Sequence, residues 1–137
     1  KNDVDVIIGT HPHLLQKIEL NEKTGKLVAY SLGDFYGDAT LGGSNYSVIL
    51  DIEITKDADL KTTKVTNFSY IPIYTLKESE GDGYRRVVRI NEAMAAYEGN
   101  YVDRISSTAY SQMEYSLTRI EARIHGKTED TDKTTKK

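Results

Sequence analysis

The run Val4-Asp5-Val6-Ile7-Ile8, closed by Gly9, constrains the fold more than any other stretch of this chain. A short β-branched run ending at glycine predicts a buried strand that stops at a loop. It is apolar at nearly every position, as expected of a strand covered on both faces. The loop continues as Thr10-His11-Pro12-His13, two histidines at i and i+2 around a proline. In an extended segment such residues point to the same side, and Pro12 biases His11 towards an extended conformation. Both imidazoles are then expected to face one point in space. That is half of a metal site, because neutral imidazole suits zinc, iron, nickel and manganese-type centres. Three or four ligands are normally required, and the chain has no cysteine to supply the others. The competing reading is that the pair is merely structural. Its place at the end of a hydrophobic strand, where layered folds put their chemistry, is what argues for ligands.

The 137 residues suffice for one domain with a real core. Lys and Arg number 18 against 21 Asp and Glu, a net charge of −3 without a basic stripe, which argues against nucleic acid as a partner. The lack of cysteine excludes a disulfide framework and leaves the compartment open. No run approaches the roughly 18 apolar residues of a membrane span. The chain opens on Lys-Asn without an initiator Met and enters a buried-type strand almost at once. This predicts a piece whose N-terminal partner elements belong to a preceding sequence.

Further along, Leu14 to Leu20 and Lys26 to Leu32 read as the two strands of a hairpin. Asn21 to Gly25 forms its loop, with Gly25 as the left-handed residue. Leu27 and Ala29 fall on one face, Val28 and Tyr30 on the other. Ser31-Leu32-Gly33-Asp34-Phe35 marks a sharp exit, and Gly37 to Asn45 a glycine-rich loop expected near the His pair. Asp34 is expected close to the pair, since the hairpin returns the chain to the end of the sheet it left; the alternative is a carboxylate that only caps a turn. Tyr46 to Ile54 alternates cleanly and predicts a strand with Tyr46, Val48, Leu50, Ile52 and Ile54 on one face. A polar turn follows at Lys56 to Leu60. Thr62 to Tyr74 reads as one or two strands interrupted at Pro72, which suggests an edge or a bend. Lys77 to Gly83 is a charged loop and Tyr84 to Ile90 a last strand.

The pattern then becomes helical. Asn91 is expected to cap a helix through Tyr97 that ends at Gly99. Asn100 is expected to cap a longer one with Val102, Ile105, Ala109, Met113, Leu117, Ile120 and Ile124 as its apolar stripe and Arg104, Glu114, Arg119 and Arg123 outside it. Tyr97, Tyr101, Tyr110 and Tyr115 read as packing residues. The chain is thus expected to divide into a β-rich part at 1–90, a helical extension at 91–126 and a disordered polar tail at 127–137.

Gly9-Thr10-His11-Pro12-His13, a hairpin, and then Ala29-Tyr30-Ser31-Leu32-Gly33-Asp34-Phe35 together resemble the C-terminal part of the capsule-synthesis CapA family. These are also called poly-γ-glutamate biosynthesis proteins and are related to calcineurin-like metallophosphoesterases. Tyr70-Ile71-Pro72-Ile73-Tyr74 and Tyr84 to Ile90 are similar to that family's closing strands. The resemblance implies an α+β fold: the C-terminal part of a two-sheet metallophosphoesterase-like sandwich, mostly β over residues 4–90, with a C-terminal helical segment. It further implies that His11 and His13 are metal ligands, matching the family's last histidine motif, with Asp34 near the site where the family usually has asparagine. The motifs that carry the other ligands are not in this sequence. Divalent metal is therefore expected in the full-length protein, with weak or no occupancy in this chain alone.

Two functions follow as expectations. One is the C-terminal half of a metal-dependent hydrolase-like protein of capsule or poly-γ-glutamate biosynthesis at the bacterial cell surface, competent only when joined to its N-terminal half. The other is a non-catalytic surface or assembly component with a vestigial site. The expected partners are that N-terminal half or a second copy of the chain, because the apolar first strand has little in this sequence to cover it.

Overall fold

The computed structural model describes residues 4–37, 41–100 and 104–127. Its first sheet has the order β1-β3-β2, with β1 at Val6–Ile8, β2 at Ile18–Asn21 and β3 at Lys26–Ala29. The hairpin forms where the sequence places it. Asn21 Oδ1 accepts the Lys23 and Thr24 N–H groups, the Gly25 N–H donates to the Asn21 carbonyl, and Gly25 takes a φ of 66°. That turn sets the register Asn21↔Lys26 to Ile18↔Ala29, and the bridge Leu15↔Leu32 continues it outwards. β1 pairs in parallel with β3, Val6 against Leu27 and Ile8 against Ala29. β3 is therefore central, and Leu27 and Ala29 are fully buried.

The second sheet is antiparallel in the order β4-β5-β6, with β4 at Tyr46–Asp57, β5 at Thr62–Leu76 and β6 at Arg86–Arg89. β4 runs three residues past the expected Ile54, and the polar turn shrinks to a tight one in which Asp57 Oδ1 accepts from the Asp59 and Leu60 N–H groups. Tyr46 and Val48 are buried and Leu50 and Ile52 half-buried, but Ile54 is exposed, beyond a bulge between Glu53 and Ile54. Pro72 does not interrupt β5, which is one continuous central strand. The proline pairs with Val48 one residue before β6 pairing begins at Ile73↔Arg89, so β5 is paired on one side only at that point and tolerates a missing donor.

Two helices complete an α+β fold: α1 at Ile90–Glu98 and α2 at Ser107–Ile124. Both start at positions other than those expected. Arg89 occupies the cap position of α1, which follows β6 without a loop. Ser106 caps α2 by accepting from the Ala109 N–H, while Asn100 sits outside it with a φ of 54°. The apolar stripe is as patterned: Ala109, Met113, Ile120 and Ile124 are buried along α2, with Ile105 buried just before it. They join Leu15, Leu27, Tyr46, Val48, Tyr74 and Ile90 in one core shared by both sheets and both helices. Tyr97 and Tyr110 pack ring to ring at 4.9 Å, whereas Tyr115 is exposed. Val102, Tyr101 and the tail beyond Lys127 lie outside the described residues.

β1 corrects the expectation of a strand buried on two faces. Ile7 and Ile8 are 51% and 50% exposed, and Val6 is half-buried. The cause is position: β1 is the edge of its sheet, paired with β3 alone, and no described element covers its outer side.

Tyr74 illustrates how the core couples to pH. Its ring is fully buried and its hydroxyl donates to Glu80 Oε1 at 3.1 Å. Burial pushes that hydroxyl up to about 12, with the Glu80 charge adding to the effect and a hydrogen bond with Asn45 opposing it. Tyr70, half-buried and donating to Glu121 Oε2 at 2.5 Å, is likewise pushed up to about 12, mainly by burial. The unfolded chain releases these protons near pH 10 while the folded one holds them. Stability is therefore intact below pH 10 and falls as pH rises towards about 12. Tyr74 alone should account for about 2–3 kcal/mol of that fall. Urea unfolding followed from pH 9 upwards measures it, and Tyr74→Phe should flatten the alkaline slope. An unchanged slope would show that Tyr74 does not couple.

Candidate functional site

The strand β1 ends because the chain turns against β3. The Gly9 N–H donates to the Ala29 carbonyl at 2.8 Å, and the Gly9 carbonyl accepts from the Leu32 N–H at 2.9 Å. This brings the Gly9 backbone so near Tyr30 that a Cβ there would lie 2.2 Å from the Tyr30 carbonyl oxygen. Glycine is the residue that fits. The following residues do not run on extended. The His13 N–H donates to the Thr10 carbonyl at 3.0 Å, closing a turn with His11 and Pro12 at its corner, and His13 has a φ of 59°. The same-side argument for residues i and i+2 of a strand therefore does not apply to His11 and His13. A turn, not pleating, orients them.

His13 meets Asp34 instead. The hairpin register that pairs Leu15 with Leu32 leads, two residues further out, to His13 opposite Asp34. Their side chains meet at 2.7 Å, His13 Nδ1 to Asp34 Oδ1, with Asp34 mostly covered and His13 well exposed. A carboxylate only accepts, so Nδ1 carries the proton in this contact. In the neutral ring Nε2 then carries the lone pair. This is the arrangement in which a carboxylate fixes the tautomer and direction of a metal-ligating imidazole. Asp34 thus has a defined partner, an aspect that residue type alone does not disclose but hairpin register does. His11 is exposed at the corner of the same turn.

The donor types suit a divalent cation, but among the described residues no group of three or more His, Asp and Glu side chains converges. The cation-type donors at this corner are His11, His13 and Asp34. The third histidine, His125, lies after α2 and pairs with Glu121 at 3.1 Å. Exposed Phe35 and Tyr36 follow Asp34 directly and give the corner an aromatic border. Gly37, next in the chain, accepts from Arg85 at 3.2 Å through its carbonyl, which ties the exit of the corner to the segment leading into β6.

Among the described residues, no helix is long and apolar enough to cross a membrane. No curated protein and no solved structure matches the chain significantly. Residues 1–39, which hold His11, His13 and Asp34, match the family model of the bacterial capsule synthesis protein PGA_cap, and over that stretch the chain is similar to that family.

Proposed function

We propose that this chain is the C-terminal part of a metal-dependent, hydrolase-like protein of bacterial capsule or poly-γ-glutamate synthesis acting at the cell surface. The observation that carries the reading is the 2.7 Å contact of His13 Nδ1 with Asp34 inside the segment that matches the capsule synthesis family. His11 and His13 are the ligands in this proposal, and Asp34 positions His13 so that Nε2 faces the metal. A bound divalent cation supplies Lewis acidity for hydrolysis of an ester-type substrate. The remaining ligands come from the N-terminal half of the longer protein. The exposed edge of β1, with Ile7 and Ile8 half-uncovered, is the apolar surface on which that half packs.

Asp34→Ala in the full-length protein separates a positioning role from a turn cap. It is expected to weaken metal affinity by about 10–100-fold, because an unoriented imidazole must be ordered on binding. Calorimetric titration of zinc or manganese into the metal-stripped protein reads this directly. Unchanged affinity in a folded Asp34→Ala protein would remove Asp34 from the site.

A further inference from the structure

The segment that carries Asp34 is tied at both ends to the part of the chain that builds the second sheet. At its start, the Ser47 hydroxyl on β4 donates to the Leu32 carbonyl, while the Leu32 N–H donates to the Gly9 carbonyl at 2.9 Å. At its far end Arg85, which directly precedes β6, donates from Nη1 to the Gly37 carbonyl at 3.2 Å. We propose that Arg85 is a positioning residue of the histidine corner: by holding Gly37 it keeps the Asp34 carboxylate on His13 and so sets the tautomer of that imidazole. The inference rests on the metal reading for what the tautomer serves, but the contact itself forms without metal.

Between those ties the segment gains little from burial. Phe35 and Tyr36 are 61% and 60% exposed, so their rings remove little of the apolar area that would fix the backbone. Gly37 matters because its backbone lies against the Asp34 side chain. A Cβ on Gly37 would stand 2.8 Å from Asp34 Oδ2 and 3.3 Å from Asp34 Cγ. The other oxygen, Oδ1, faces His13 Nδ1 at 2.7 Å. The carboxylate is thus lodged between the Gly37 backbone and the imidazole, and a shift of Gly37 lets it turn off the ring. Arg85 is itself braced. Its Nε and Nη2 meet the two carboxylate oxygens of Glu78, each at 3.4 Å, which leaves Nη1 directed at Gly37. Arg85 is half-buried, a setting in which a charge-assisted bond to a carbonyl keeps much of its strength. Without the carboxylate on Nδ1 nothing selects the Nδ1–H form, and the neutral ring populates both tautomers.

The test is the tautomer of His13 in the metal-free 137-residue chain, read from its imidazole nitrogen NMR shifts. The measurement is made at about pH 8, where an imidazole is neutral. The parent is expected to hold the proton on Nδ1. Arg85→Ala should lower the ratio of the Nδ1–H to the Nε2–H form at least about threefold, a change of the size one hydrogen bond is worth. Arg85→Lys still has a donor for Gly37 but no fork for Glu78, and should fall between the two. A role in stability alone would lower the urea midpoint of Arg85→Ala and leave the ratio where it was. In the full-length protein Arg85→Ala should weaken zinc binding by about threefold to tenfold, less than the loss of Asp34 itself. A parent ring protonated mainly on Nε2 would overturn the proposal. So would an unchanged ratio in folded Arg85→Ala or, where alanine prevents folding, in Arg85→Lys, and so would zinc affinity equal to that of a zinc-binding parent. A full-length parent that binds no metal would instead overturn the metal reading, and the tautomer ratio would still decide the role of Arg85.

Discussion

Replacing Gly9 by alanine is expected to destabilise the protein by about 2–4 kcal/mol and to separate His13 from Asp34. The new methyl would stand 2.2 Å from the Tyr30 carbonyl oxygen and 3.1 Å from its carbon, both backbone atoms that no rotamer change can move aside. Relief requires β1 to draw away from the exit of β3. That movement stretches the two hydrogen bonds by which Gly9 holds Ala29 and Leu32, each worth about 1 kcal/mol, and adds backbone strain. Leu32 is the residue bridged to Leu15, so the same movement disturbs the register that faces His13 towards Asp34. Urea unfolding gives the stability change, and the His13 Nδ1–H resonance reports the contact. A loss below about 0.5 kcal/mol with that resonance unmoved would mean the backbones are not in contact there.

The hairpin shows how much of this corner a sequence can disclose. Asn21 to Gly25 is a turn by residue type, and a turn fixes pairing outwards in both directions. Followed from Asn21↔Lys26 to Leu15↔Leu32, that pairing sets His13 against Asp34, so the contact is implicit in the turn. The alternation from Tyr46 and the three-four spacing on α2 were equally legible, because burial on one face leaves a period in the sequence. What periodicity does not report is what lies on the other side. Val6, Ile7 and Ile8 are apolar, but their exposure depends on which strands flank them, a tertiary fact. Pro12 biases the residue before it towards extension, yet one hydrogen bond from His13 to Thr10 suffices to close a turn. The cap of α2 fell to Ser106 rather than Asn100 because Ser106 directly precedes the first residue of the described helix. Arg123 reads as an outward residue on a helical wheel. Its half-burial comes from Tyr46 and the Gly42-Gly43 turn, about 80 residues away in sequence, and no local pattern encodes that meeting.

The second large effect concerns the metal. If His11 and His13 are ligands, their joint replacement by alanine removes both imidazoles of this corner and leaves Asp34 as its one carboxylate. The chain alone should bind divalent cations weakly or not at all, since two imidazoles leave coordination incomplete. The full-length protein should bind them firmly. Arg123→Gln, which alters the contact of α2 with Tyr46, should leave metal content unchanged and so controls for general damage. Elemental analysis of the purified full-length protein against its His11→Ala/His13→Ala variant is the most direct measurement of the proposed function. The account predicts bound divalent metal in the parent and near-complete loss in the folded variant. Equal metal content in the two proteins would contradict it and leave the histidine corner as a structural turn of a non-catalytic assembly component.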